Sequence, residues 1–155
     1  MVAVQFYQVD GTTPGEVDGV LPSLLSKIRG AGYNIVIACP SLERRDRLNN
    51  WLWVYEAPSF LPHGTSEESQ NLQQPILLTT DIGTVGESSV LITLGGMLGE
   101  KPESNDFISY SKVLNVFDAS NGQTASARKS WKYLNSQQVE LSYFAQTAQG
   151  WRKQA

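Results

Sequence analysis

The chain has 155 residues, 41% of them hydrophobic and 17% charged, with a formal net charge of −3. That composition fits one globular domain over residues 1–155, large enough to bury about 70% of its unfolded surface, and excludes a disordered polyelectrolyte. An excess of 15 Asp/Glu over 12 Lys/Arg argues against nucleic-acid binding by the whole surface, and no apolar run approaches the roughly 18 residues of a membrane span.

The opening segment, Met1 to Tyr7, lacks the cationic start of a signal peptide. Val2 to Val9 reads as a buried strand. Thr13-Pro14-Gly15-Glu16 has the spacing of a helix capping box with proline at the first helical position. Leu21, Leu24, Leu25 and Ile28 then recur with helical periodicity. Pro22 falls inside that stretch, which predicts a regular helix only from about Val20. Gly30 and Gly32 close it, and Tyr33 to Cys39 is a second buried strand. Ser41 is placed to cap a second helix running through about Trp53. The Tyr55–Gln74 stretch, with Pro58 and Pro62 and a polar Thr65–Gln74 run, reads as irregular. Short strands follow at Pro75–Thr80, Ser89–Leu94 and Ser111–Phe117, then a third helix from Thr124 to about Ser136 and a closing strand from Val139 to Ala145. Strands alternating with helices predict an α/β fold, three-layered and Rossmann-like, with a mostly parallel mixed sheet.

Such a layout raises the question of nucleotide binding. The first strand-to-helix turn, Asp10-Gly11-Thr12-Thr13-Pro14-Gly15, is not G-x-G-x-x-G, and no Gly-Lys dipeptide exists to form a Walker loop, so the fold carries no phosphate loop. One His and one Cys cannot supply a zinc site of ordinary N/S ligation. No G-x-S-x-G accompanies His63. The reading therefore predicts no catalytic residue, no metal and no cofactor. The single Cys39 leaves no intrachain disulfide framework, which favours a reducing, cytoplasmic compartment.

Charge is unevenly placed. Residues 1–124 hold 7 Lys/Arg against 14 Asp/Glu, whereas residues 125–155 hold five cations against Glu140 alone. Within that last segment, Arg128, Trp131 and Lys132 fall at i, i+3 and i+4 of the third helix. At about 100° per residue, Arg128 and Lys132 lie roughly 40° apart with Trp131 flanking Arg128 on the other side. Two donors beside an aromatic wall suit an anionic peptide or a nucleic-acid strand. A second surface is suggested by the aromatic and proline-rich run from Trp51 to His63. Leu48, Trp51, Leu52 and Tyr55 form the core stripe of the second helix, so Trp53 falls off it. Phe60 lies on an irregular segment beside Leu61, and exposed rings near prolines are typical protein-interface material.

Taken together, the chain resembles the chi subunit family of bacterial DNA polymerase III. The resemblance is carried in order by Val4-Gln5-Phe6-Tyr7, Ile35-Val36-Ile37-Ala38-Cys39, Leu52-Trp53 with Ser59-Phe60-Leu61-Pro62-His63-Gly64, Val113-Leu114-Asn115-Val116-Phe117-Asp118, Ala127-Arg128-Lys129-Ser130-Trp131-Lys132-Tyr133, and Val139-Glu140-Leu141-Ser142-Tyr143. It implies a non-catalytic accessory subunit of the clamp-loader assembly that contacts DNA only indirectly. It also implies two partners. The acidic C-terminal tail of single-stranded DNA-binding protein would bind at Arg128, Trp131 and Lys132, with Phe117 adding apolar contact. The psi subunit would bind at Trp53, Phe60, Leu61, Pro62 and His63. The family position at Trp131 is often Tyr, and Glu100–Asn105 is longer than in compact members. Direct binding of single-stranded nucleic acid and a nucleotide-dependent α/β enzyme are the competing readings.

Overall fold

The computed structural model describes residues 2–54, 63–65, 75–82, 89–103, 107 and 109–155. The elements run β1 (Ala3–Gln8), α1 (Pro14–Gly30), β2 (Asn34–Ala38), α2 (Leu42–Val54), β3 (His63–Thr65), β4 (Ile76–Thr79), β5 (Ser89–Leu94), β6 (Lys112–Phe117), α3 (Asn121–Leu134), β7 (Glu140–Thr147) and β8 (Gly150–Lys153). Among the described residues the strands join in one eight-stranded sheet of order β3-β4-β2-β5-β6-β1-β7-β8. Every pairing is parallel except the β7–β8 hairpin. This is the mixed, mostly parallel sheet of a three-layer Rossmann-like fold.

Why these segments become strands follows from burial on both faces. All six residues of β5 and all four of β4 are buried, as a parallel sheet covered on two sides requires. On one face, Leu21, Leu24, Leu25 and Ile28 of α1 and Leu48 and Leu52 of α2 pack over Ile35, Ile37, Ile76, Ile92 and Val116. On the other, Ala127 and Leu134 of α3, together with Leu98, Phe107 and Tyr110, pack over Val4, Phe6, Val36, Leu91 and Phe117. Cys39 is fully buried, and burial pushes its thiol up to about 12. Asp18 of α1 and Arg44 of α2, both nearly inaccessible, pair at 2.6 Å and tie the two helices together.

Several expectations are corrected. The α1 helix is continuous from Pro14, with Pro22 buried inside it rather than delaying it. Packing of Leu21, Leu24 and Leu25 offsets a local penalty of about 3 kcal/mol. The capping box forms only in part. Thr13 makes no side-chain cap, while Glu16 Oε1 accepts the Thr12 N–H at 3.3 Å and the Thr13 hydroxyl at 3.2 Å. The α3 helix starts about one turn earlier than expected, after Ser120. Strands β3 and β8 were not anticipated. The Ser41 cap is present, its hydroxyl accepting the Arg44 N–H at 3.1 Å.

The β1–α1 turn has a specific geometry. A Cβ on Gly11 would sit 1.7 Å from Glu16 Oε2, so the Glu16 carboxylate lies directly over the turn. In dinucleotide-binding folds that helix N-terminus receives a pyrophosphate. Here the chain supplies its own anion.

Candidate functional site

The α3 helix divides its circumference between three tasks. Ala127, Ser130 and Leu134 are buried toward the sheet. A second side holds the segment 99–103. Lys129 Nζ pairs with Glu100 at 3.3 Å, the Tyr133 hydroxyl donates to Glu103 at 2.6 Å, Gln137 Nε2 donates to the Pro102 carbonyl at 2.9 Å, and the Ser130 hydroxyl meets the Gly99 carbonyl. The hydrogen bond to Glu103 raises the Tyr133 pKa. What remains outward is Arg128 and Lys132, both exposed, with Trp131 half-buried beside them. Among the described residues neither cation has an ion-pair partner.

Trp131 is fixed from beneath. Its ring stands edge-on to Phe6 at 5.3 Å and to Tyr143 at 5.9 Å. Phe117 lies deeper, edge-on to both Phe6 and Tyr143. Phe117 is only 2% exposed, so in this structure it props the aromatic cluster from below and offers little surface of its own to a ligand. Register explains the cluster, since β1 places Phe6 beside Tyr143 of β7 and beside Asn115 of β6, two residues before Phe117. The Tyr143 hydroxyl donates to Gln8 Oε1. Burial raises the Tyr143 pKa and the neighbouring Arg128 charge partly lowers it, which puts Arg128 on the Tyr143 side of the strip.

Tyr143 therefore joins the candidate site, and sequence reasoning missed it. Its signal was the alternation of β7, which sets Leu141 and Tyr143 on the α3 side. Nothing local links it to residues 128–132. Chemically, the strip offers a bidentate-capable guanidinium, an ammonium and an indole on a rigid helix. It suits carboxylates and an apolar group. Lys132 also borders a 360 Å³ cavity that runs between α3 and Lys101.

The expected second surface is only partly described. Trp53 is 51% exposed and Val54 74% exposed at the end of α2. The backbone of His63 lies in β3, but its side chain, together with Phe60, Leu61 and Pro62, falls outside the described residues. Among the described residues no group of His, Cys, Asp and Glu is placed to hold a metal, and no helix is long and apolar enough to cross a membrane.

Comparison with known proteins points one way. The family model for the DNA polymerase III chi subunit matches residues 1–142. A Rickettsia prowazekii protein described as a probable DNA polymerase III subunit chi is 30% identical over 71 residues, 46% of this chain and 43% of that protein. The chain thus aligns with less than half of that relative. Among solved structures, the C-terminal domain of the DEAD-box protein Dbp5 superposes with a TM-score of 0.56 at 14% identity, over 92% of this chain and 91% of that one. That likeness concerns the fold alone.

Proposed function

The chain belongs to the DNA polymerase III chi-subunit family, a family of non-catalytic accessory subunits, and from that premise we propose that it is an adaptor with two protein-binding surfaces. The first captures the acidic C-terminal tail of single-stranded DNA-binding protein. The observation that carries this reading is the Arg128–Trp131–Lys132 strip, where two cations free of ion pairing among the described residues flank a braced indole. Arg128 and Lys132 would hold tail carboxylates through charge-assisted hydrogen bonds, and Trp131 would cover the terminal apolar side chain.

The second surface, around Trp53 and Val54 with the Phe60–His63 segment, would bind psi and so tether the adaptor to the clamp loader. The α2 helix packs on Ile76 and Leu78 of β4, on one face of the sheet, and α3 packs on Val113 of β6, on the other. β4 and β6 are three strand spacings apart in the sheet order, about 14 Å. That separation supports a reading in which both surfaces would be occupied together, as a bridge requires.

Calorimetric titration with an acidic tail peptide tests the first surface, with oligo-dT of matched charge as control. Binding of the peptide in preference to the oligonucleotide, lost in Lys132→Glu, is expected. Equal binding by Lys132→Glu would place the site elsewhere. For the second surface, Trp53→Ala is expected to weaken association with the clamp loader in a pull-down while leaving tail-peptide affinity unchanged. Loss of both would mean one site rather than two.

A further inference from the structure

The face of the sheet opposite α3 has its own unassigned site. The apolar stripe of α1 covers this face from β2 across to β6. Beyond β6 in the sheet order, at one end of the sheet, lie β1 and the β7–β8 hairpin, and among the described residues no helix follows β7 or β8. A cavity of about 430 Å³ remains between α1 and that end. Four half-buried rings line it: Tyr7, Tyr33, Phe144 and Trp151. Tyr7 stacks on Phe144 at 4.9 Å, and Trp151 closes on Tyr7 edge-on at 5.0 Å.

Cations stand at the same cavity. Lys112 holds its ammonium 5.7 Å from the centre of the Tyr33 ring, and Lys27 projects from the last turn of α1. Neither lysine has an ion-pair partner among the described residues. Lys153 lies on the same face, opposite Phe144 in the β7–β8 pairing. The acid in this row, Glu140, is one strand beyond Ala3 from Lys112 and does not line the cavity.

The volume falls in the range of sites for small aromatic groups. The chemistry is rings for a π-face with separate, single positive charges alongside. A compact polyphosphate would call for several donors converging on one point, such as an amide nest, and two lysines on different elements, α1 and β6, do not provide that. Charges spaced along a backbone, with a base between them, do match. We propose that this groove binds a single-stranded nucleic acid, one base entering among Tyr7, Phe144 and Trp151 and the neighbouring phosphates resting on Lys27 and Lys112. The site goes beyond the adaptor reading and is independent of it, because it lies on the other face of the sheet from α3.

The test is fluorescence anisotropy of labelled dT12 with the full chain, beside titration of the acidic tail peptide. Two neutralised phosphates predict a salt slope of about −1.4, an affinity loss of about sevenfold between 50 and 200 mM salt. The double variant Lys27→Glu/Lys112→Glu, at one exposed and one half-buried lysine, is expected to lower oligonucleotide affinity at least tenfold and to keep tail-peptide capture. Trp151→Ala should weaken the oligonucleotide without changing the salt slope. Unlabelled dTMP should compete poorly. Four results would overturn the proposal: no binding of dT12 at 50 mM salt, unchanged binding by the double lysine variant, competition by dTMP as strong as by the oligonucleotide, or loss of oligonucleotide binding in Arg128→Glu/Lys132→Glu, which would put the strand on α3.

Discussion

Reversing the charge at Lys132 is the sharpest perturbation of the α3 strip, because the side chain is exposed and unburdened by packing. Its Coulombic effect can be worked directly. An exposed ammonium about 5 Å from a ligand carboxylate gains about 0.8 kcal/mol in a water-like dielectric. Lys132→Glu changes the charge by two units, so the loss is about 1.7 kcal/mol, or roughly 17-fold in affinity, at low ionic strength. With a screening length of about 8 Å at physiological salt the same loss shrinks to about 0.9 kcal/mol, near fivefold. Isothermal titration of parent and variant with an acidic, apolar-ended peptide at several salt concentrations reads both values. The far-UV spectrum should not change. A penalty that stays constant from low to high salt would refute electrostatic capture by Lys132, even if the variant binds less well.

Trp131→Ala should cost about 2 kcal/mol of peptide binding regardless of salt, a hot-spot truncation, with Trp131→Phe losing less; equal affinity of all three proteins would exclude the aromatic wall. The Ala variant should also unfold at lower urea, since two edge-to-face pairs worth about 0.5–1.5 kcal/mol each disappear. Arg44→Ala should destabilise by about 3–5 kcal/mol by stranding the buried Asp18 carboxylate, and Asp18→Asn with Arg44→Met should recover most of it; a small loss in the single variant would contradict the buried pair. Burial holds the Cys39 thiol and the Tyr110 hydroxyl up at about 12 against ordinary values of 9.0 and 10.0. The unfolded chain therefore releases these protons first, and the stability they contribute is full below about pH 9 and lost as pH rises toward 12. Urea midpoints measured from pH 8 to 11 should fall, and Cys39→Ala with Tyr110→Phe should flatten the decline.

The strands buried on both faces were legible because a continuous apolar run is itself the signal: β2, β4, β5 and β6 fall within the expected segments. The exposed Trp53 was legible from its departure from the Leu48–Leu52 stripe. Where the sequence misled, a non-local term had won. Pro22 sits mid-helix because the stripe around it is held by the sheet. The first turn of α3, Asn121-Gly122-Gln123, carries no apolar residue to announce it. β8 is Gly-Trp-Arg-Lys, a strand made by its hairpin rather than by hydrophobic pattern. Arg128, Trp131 and Lys132 could be read together because one helical turn holds all three. Tyr143 and the Tyr7–Phe144–Trp151 groove could not, since register between distant strands assembles them.

Helical geometry explains why Arg128 and Lys132, rather than the adjacent Lys129, are the proposed ligand cations, and it yields one further test. Taking Arg128 as zero and about 100° per residue, Lys132 lies at about 40°, Lys129 at about 100° and Tyr133 at about 140°. The core residues Ser130, Leu134 and Ala127 follow at about 200–260°, and Trp131 at about 300°. The 99–103 segment occupies the Lys129–Tyr133 side, while Trp131 and Tyr143 wall the other. Arg128 and Lys132 are thus the floor of a shallow trough. Glu100, paired with Lys129 at 3.3 Å on its rim, neutralises the third cation and would place a negative charge beside the proposed ligand path. Glu100→Gln should release Lys129 and remove that charge. The pair is exposed, so the fold should lose little, because surface pairs contribute about 0.2–1 kcal/mol. Acidic-peptide affinity should rise by about two- to fivefold at low salt, and the gain should vanish at high salt. Weaker peptide binding in Glu100→Gln would show that the 99–103 segment must be clamped for the trough to exist, with Lys129 serving the clamp and not the ligand.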